Sequence, residues 1–237
     1  MTNHIEVGSP SSDQIKFYKK FGYLIVENVL TDDECGKLLE IATSNADSNF
    51  KGIFDLETRD SFVVEVIKNQ RIVKIVETLH DREMRCIGTQ FLFKRPGSAF
   101  AEQAWNPHQD NSYVHAPYGT FVSAIIPLVN SDPGNGGMYV YPGSHKEDLL
   151  PSEKNPSFDP KSNPGNHIKK IPPQYQGRAL HMKKGSLYIQ HGNLIHGSYP
   201  NRSETRSRPH FGIMYIVKGV PYTLGNTRKD AKPIDLH

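Results

Sequence analysis

Trp105-Asn106-Pro107-His108-Gln109-Asp110 reads as a strand that ends in an H-x-D dyad, and a distant histidine, His196, opens the stretch His196-Gly197-Ser198. In a β-strand residues i and i+2 point to one face, so His108 and Asp110 are expected to reach a common point while Gln109 turns away. The third ligand, His196, is then expected from a strand on the opposite wall. Two imidazoles and one carboxylate are the donor set that holds non-haem Fe(II) and leaves three adjacent coordination positions open. Open positions on iron imply oxygen chemistry. An H-x-D by itself occurs by chance in many chains, where the aspartate caps a turn (here into Asn111-Ser112) and the histidine hydrogen-bonds in a core. The residues around the dyad carry the argument further.

The chain has 237 residues, enough for one sizeable domain, and a single β-barrel or sandwich of this length is ordinary. Residues 1–237 are read as one domain. Lys and Arg number 28 against 25 Asp and Glu, a net charge of +3, and they are interspersed along the sequence. No electrostatic footprint for nucleic acid follows from this, although mild basicity suits an anionic co-substrate. Cys35 and Cys86 are too few for a disulfide framework, and Met1-Thr2-Asn3-His4-Ile5 lacks the apolar core of a signal peptide. No apolar run approaches the length of a membrane span. The cytoplasm is the expected location, with neither membrane nor nucleic acid as partner; the oligomeric state is not legible.

Residues 1–12 are polar and read as a loose leader. Ser12-Asp13 followed by Ile15, Phe17, Tyr18 and Phe21 predicts a capped helix, stopped by Gly22 before the apolar run Tyr23-Leu24-Ile25-Val26. Thr31-Asp32-Asp33-Glu34 is a capping box that opens a helix to about Ala46. Another helix is predicted from near Asn69, with Ile72, Val73, Ile75, Val76 and Leu79 on one buried face. From Met84 onward short β-branched and aromatic runs alternate with Pro and Gly, which predicts strands near 85–94, 105–110, 120–128, 137–141, 185–190, 193–197 and 208–217. Helices first and strands later imply an α+β layout, with helices backing one face of a rolled antiparallel sheet. Lys146 to Arg178, rich in Pro, Asn, Ser and Lys, is too long for a plain connection and reads as a lid over the site or an insertion.

Three stretches together resemble the phytanoyl-CoA dioxygenase (PhyH) family: the Trp105 to Asp110 stretch, Pro142-Gly143-Ser144-His145, and His196 to Ser203 with Arg206 and Arg208. The resemblance covers roughly Phe91 to Tyr215. It implies a double-stranded β-helix, a jelly-roll of the cupin kind, with His108, Asp110 and His196 as iron ligands. It also implies 2-oxoglutarate as co-substrate, its 2-oxo acid end on the metal and its far carboxylate on an arginine. An arginine fits because its planar fork meets a carboxylate with two parallel hydrogen bonds. In the family pattern that anchor lies on the strand after the distal histidine. Arg208, twelve residues after His196, matches best; Arg206 shares its parity, so spacing leaves it open, and Arg202 reads as a loop charge.

Ser198 matches a family hydroxyl that bonds the same carboxylate, or is simply a turn residue after Gly197. Gln90 and Lys94 share one face of the strand Thr89 to Lys94, where similar proteins contact co-substrate or substrate; Lys94 is otherwise a strand-end charge. Where family members often carry a tryptophan, this chain has Ala124-Ile125-Ile126, which leaves one wall of the co-substrate pocket undefined. Tyr113 either lines the substrate side or fills core space. Asn135-Gly136-Gly137 reads as a turn and His145 as structural. His191 and His196, on opposite faces if one strand runs through both, would not share a metal.

The resemblance therefore implies an enzyme that uses Fe(II), 2-oxoglutarate and O2 to hydroxylate, desaturate or cyclise a small-molecule substrate at an unactivated C–H bond. Halogenation is disfavoured, because family halogenases replace the carboxylate ligand that Asp110 supplies. The competing expectation is a non-catalytic or zinc-binding cupin-like protein that holds a small acid.

Overall fold

Side chains that satisfy orphan backbone N–H groups start the helices where the sequence offers them. In the computed structural model, which describes residues 8–46, 52–98, 101, 104–154, 166–223 and 232–237, Ser11 and Gln14 form a capping box for α1 (Ser12–Phe21). The cap is thus one residue earlier than read from Ser12-Asp13, and the part of the expected leader at 1–7 lies outside the described residues. Gly22 ends α1 in the left-handed region at φ 81°, as only glycine does without strain. Thr31 and Glu34 close the box of α2 (Asp32–Asn45), and Asn69 caps α4 (Gln70–His80). Between them lies α3 (Ser61–Ile67), capped by Asp60, which the sequence reading did not anticipate.

The strands are β1 (Tyr23–Val26), β2 (Gly52–Phe54), β3 (Met84–Lys94), β4 (Trp105–His108), β5 (Phe121–Pro127), β6 (Met138–Val140), β7 (Ser152–Lys154), β8 (Asn166–Ile168), β9 (Arg178–Ala179), β10 (Leu187–His191), β11 (His196–Ser198), β12 (Arg208–Val217) and β13 (Ile234–Asp235). They form a seven-stranded antiparallel sheet ordered β1-β10-β5-β12-β3-β13, with β2 also on β3, and a four-stranded sheet ordered β4-β11-β6-β9. These two sheets are the jelly-roll, and the N-terminal helices back the larger one. The α+β layout expected from the sequence is the one observed.

Alternation along the strands of the large sheet separates two environments. Phe91, Phe93, Val122, Ala124, Ile126, Phe211 and Ile213 join the helix residues Leu38, Ile72, Val76 and others in the main apolar core. The intervening residues face the small sheet, where Ile125 and Tyr188 pack with Met138, Val140 and Leu194. Cross-strand partners on this inner side include Lys94 with Arg208, Gln90 with Gly212, and Ser123 with Gln190.

One strand prediction needs correction. The strand from Trp105 stops at His108, because Asp110 adopts helical torsions (φ −60°, ψ −33°) at the head of a one-turn helix, α5 (Asn111–Val114). The separate strands expected at 185–190 and 193–197 are present: β10 ends at His191 in the large sheet, and β11 begins at His196 in the small one. The region read as a lid contains a two-stranded ribbon of β7 and β8, while its residues 155–165 lie outside the described residues. Among the described residues no helix is long and apolar enough to cross a membrane.

Candidate metal centre and anion pocket

β4 and β11 pair antiparallel, and their register sets His196 directly opposite His108, with ring centroids 4.3 Å apart. The distal histidine therefore comes from the neighbouring strand of the same sheet, not from an opposite wall. Gly197 makes this possible locally: a Cβ there would lie 2.4 Å from both the Trp105 carbonyl and the Tyr139 hydroxyl. That hydroxyl crosses over Gly197 to donate to the Trp105 carbonyl at 3.0 Å.

His108 Nδ1 lies 2.8 Å from the Asn106 carbonyl and His196 Nδ1 3.0 Å from that of Leu194. With each Nδ1–H donated to a carbonyl, the Nε2 lone pairs are left for a ligand. Both Nε2 atoms are 3.4 Å from Asp110 Oδ1, and one ligand atom from each of the three residues fits within 4.8 Å. The H-x-D spacing works through a different geometry from the one read off the sequence. Asp110 reaches the histidines from the first turn of α5, not from a strand face. Gln109 does turn away, its amide donating to the Asn193 carbonyl at 2.9 Å.

Burial alone would push the Asp110 carboxyl up, but the facing imidazoles of His196 and His108 outweigh it and hold it well below the ordinary carboxylate range. Burial opposes protonation of His196, and Asp110 reverses the effect, so its pKa is raised. An anionic carboxylate between two imidazoles is a charge arrangement that a dication completes. His/His/carboxylate is also the right chemistry for Fe(II), so the residues present fit that metal.

A second feature lies across from this cluster, on the inner face of the large sheet. Lys94 and Arg208, opposite each other on β3 and β12, are 0% and 2% exposed. Arg208 Nε donates to the Gly136 carbonyl at 3.0 Å, and Lys94 Nζ donates to the carbonyl of Tyr199, three residues past His196. Burial pulls the Arg208 guanidinium down to about 9, and burial followed by Arg208 lowers Lys94 well below its ordinary value. No carboxylate among the described residues bridges to Arg208. Two desolvated cations side by side are costly unless an anion joins them. His210, on the same face, contacts Ser131 Oγ at 3.0 Å and is kept neutral by burial and by these two cations.

Arg206 is placed quite differently. It precedes β12, is exposed, and forks onto Asp132 at 2.6 and 3.1 Å. Ser198 is buried on β11 between His196 and the carbonyl that binds Lys94. Gln90 is half-buried and fills the space left by Gly212, where a Cβ would lie 3.0 Å from Gln90 Cγ. Tyr113 is 36% exposed, its ring edge-on to His108 at 6.2 Å. His115 and His181 are exposed and do not join the three-ligand cluster; His145 and His191 lie against each other with rings tilted by 58°, their centroids 5.2 Å apart.

Sequence reasoning missed Ser123, Tyr188 and Gln190. The Ser123 hydroxyl donates to Asp110 Oδ2 at 2.5 Å, and Gln190 Nε2 donates to the same oxygen at 2.8 Å. Their one legible signal was a polar residue at an inward parity position of an otherwise apolar strand.

The family model for phytanoyl-CoA dioxygenase matches residues 18–209. A phytanoyl-CoA dioxygenase of Arabidopsis thaliana is 26% identical over 269 residues, covering 89% of this chain and 90% of its own. Among solved structures, the epimerase SnoN in complex with Fe3+, alpha ketoglutarate and nogalamycin RO superposes with a TM-score of 0.75 at 17% identity, over 94% of this chain and 93% of its own. The alpha ketoglutarate dependent carbocyclase SnoK from nogalamycin biosynthesis gives 0.75 at 16% identity, over 97% and 95%.

Proposed function

The chain belongs to the phytanoyl-CoA dioxygenase (PhyH) family and is a 2-oxoglutarate-dependent non-haem iron dioxygenase, and we propose that His108, Asp110 and His196 hold its Fe(II) while Arg208 and Lys94 hold the far carboxylate of the co-substrate. The observation that carries this reading is a three-ligand cluster on the small sheet and two buried cations on the inner face of the large one, joined where Lys94 reaches the Tyr199 carbonyl beside β11. Lys94 is bonded to the carbonyl three residues past His196, so metal cluster and cations are separated by about three strand residues, roughly 10 Å. A short dicarboxylate spans that order of distance. Ser198, between them on β11, is the hydroxyl nearest in sequence to both.

When bound, iron, 2-oxoglutarate and O2 supply the oxidising power to attack an unactivated C–H bond, with release of succinate and CO2. The chain's own groups do the rest. Carbonyls of Asn106 and Leu194 fix the tautomers of His108 and His196, Asp110 balances charge, and Arg208 with Lys94 orients the co-acid. The substrate is a small-molecule metabolite, hydroxylated or otherwise oxidised; SnoN and SnoK, an epimerase and a carbocyclase, support the wider range of outcomes on this scaffold. The β7-β8 ribbon is read as part of a lid, a reading supported by the Asn166 N–H donating to the Tyr113 hydroxyl beside His108. The reading takes residues 1–237 as one domain working in the cytoplasm, on no nucleic acid and no membrane.

Anaerobic Fe(II) plus 2-oxoglutarate should give a visible charge-transfer band that His108→Ala, Asp110→Ala or His196→Ala abolishes. An undiminished band in His196→Ala places the third ligand elsewhere. Fe(II)-dependent succinate release stimulated by a screened metabolite identifies the substrate class; binding of zinc with no 2-oxoglutarate turnover supports the non-catalytic alternative.

A further inference from the structure

Asp110 has no strand ladder to fix its side chain, because its backbone has already turned into α5. A carboxylate with that freedom can chelate a dication through both oxygens and occupy a position the co-substrate needs. In this protein its two oxygens are treated differently. Oδ1 faces the Nε2 atoms of His108 and His196, 3.4 Å from each. Oδ2 is held from the large sheet by two donors, Ser123 Oγ at 2.5 Å and Gln190 Nε2 at 2.8 Å.

Ser123 and Gln190 are cross-strand partners on β5 and β10, so one ladder rung delivers both donors to one oxygen. Gln190 is 0% exposed, and its orientation is set from behind: the Tyr188 hydroxyl donates to Oε1 at 2.6 Å. Since a carboxylate only accepts, Nε2 must be the end that faces Asp110. The same Nε2 lies 3.0 Å from His196 Nε2. That second contact gives way once the imidazole lone pair is committed to a metal, whereas the bond to Oδ2 survives.

We propose that Gln190, oriented by Tyr188 and assisted by Ser123, is the positioning residue that makes Asp110 a one-oxygen ligand. It retains Oδ2 so that Oδ1 alone is offered, which keeps the remaining positions open for the co-acid. The inference rests on the metal reading above and adds to it the residues that set its ligand geometry.

Anaerobic Co(II), a spectroscopic stand-in for Fe(II), tests it in the full chain. Partners that orient metal ligands commonly contribute about 10–100-fold to metal affinity. Gln190→Leu should weaken Co(II) by about 10-fold, shift its d–d bands, and weaken subsequent 2-oxoglutarate binding. Ser123→Ala should act in the same direction, more weakly. Tyr188→Phe, which frees the Gln190 amide to turn, should shift the bands with little change in melting temperature. A folded Gln190→Leu protein with wild-type Co(II) affinity and spectrum overturns the proposal. Should Gln190→Leu not fold, unchanged spectra in both Ser123→Ala and Tyr188→Phe overturn it instead. Asp110→Ala separates the two readings: wild-type Co(II) binding there sinks the metal site itself, whereas loss there with none in Gln190→Leu sinks only the role of Gln190.

Discussion

The two faces of the large sheet are written by alternate residues of the same strands, yet they follow opposite rules. Toward the helices, Phe91 stacks on Phe211 at 4.5 Å amid a continuous apolar core. One residue along, on the other side, the strands present Lys94, Arg208, His210, Ser123 and Gln190, all buried. The outer face satisfies itself. The inner face buries two cations, an imidazole and two donors, the groups to which the proposed function gives the co-acid and the Asp110 carboxylate. A strand of period two thus lets one segment carry cohesion and chemistry without either intruding on the other, and a substitution should affect one and spare the other.

Phe211→Ala tests the outer half of that division with the largest expected effect. Emptying a stacked aromatic from a tight core costs about 3–5 kcal/mol, read by urea unfolding, while 2-oxoglutarate affinity of the protein that stays folded should not change. Arg208→Met is the inner counterpart. It should weaken 2-oxoglutarate by about 2–5 kcal/mol, measured anaerobically by calorimetry, and leave unfolding midpoints close to wild type. If the defect appears in Arg206→Ala instead, the anchor has been placed on the wrong arginine. A loss of stability in Arg208→Met comparable to that in Phe211→Ala would break the comparison itself.

A third test uses acid. Burial, ahead of other causes, pulls His80 down to about 4 and His191 down to about 3. In the unfolded chain both titrate near pH 6.5. Below that pH the unfolded state takes up protons that the folded state refuses, so stability is full above about 6.5 and falls toward pH 4 and then 3. Between pH 7 and 5 these two histidines should cost about 3–4 kcal/mol by urea unfolding, and His80→Gln with His191→Asn should remove that part of the slope, leaving the part due to His210 and His145, which burial also lowers. The smallest effect is expected from Arg206→Ala, whose exposed pair with Asp132 should leave 2-oxoglutarate affinity within about two-fold of wild type.

Much of this division was legible in the sequence. β3, β5 and β12 lie within a residue of their expected spans, because β-branched runs between Gly and Pro leave the backbone few alternatives. The capping box at Thr31 and the cap at Asn69 likewise signal local geometry locally, while the cap of the first helix is Ser11, one residue before the Ser12 read from the sequence. The errors fall where local rules meet tertiary constraint. Strand parity failed at Asp110 because Asn111 ends the strand, its N–H donating to the Gly192 carbonyl at 2.8 Å and its side chain to Ala116 and Asn193. His191 and His196 lie on separate strands, as the expected spans 185–190 and 193–197 have it, because Gly192-Asn193-Leu194-Ile195 turns the chain from one sheet into the other. Arg206 and Arg208 share parity only if the strand extends back to both, and it begins at Arg208. Gln190 and Ser123 belong to no spacing pattern; their meaning comes from a rung joining residues far apart in the chain.

The one-turn helix α5 has two tenants. Asp110 stands at its head, and Tyr113 within it receives the backbone N–H of Asn166 from the ribbon at 2.5 Å. Two residues separate the carboxylate of the three-ligand cluster from a phenol that accepts from the ribbon, and the Tyr113 N–H donates back to the Asp110 carbonyl at 3.0 Å. The ribbon's root and the ligand sphere therefore share a mechanical part. Only one turn of helix lies between the contact that β8 makes at Tyr113 and the Asp110 carboxylate, a shorter path than any through the barrel.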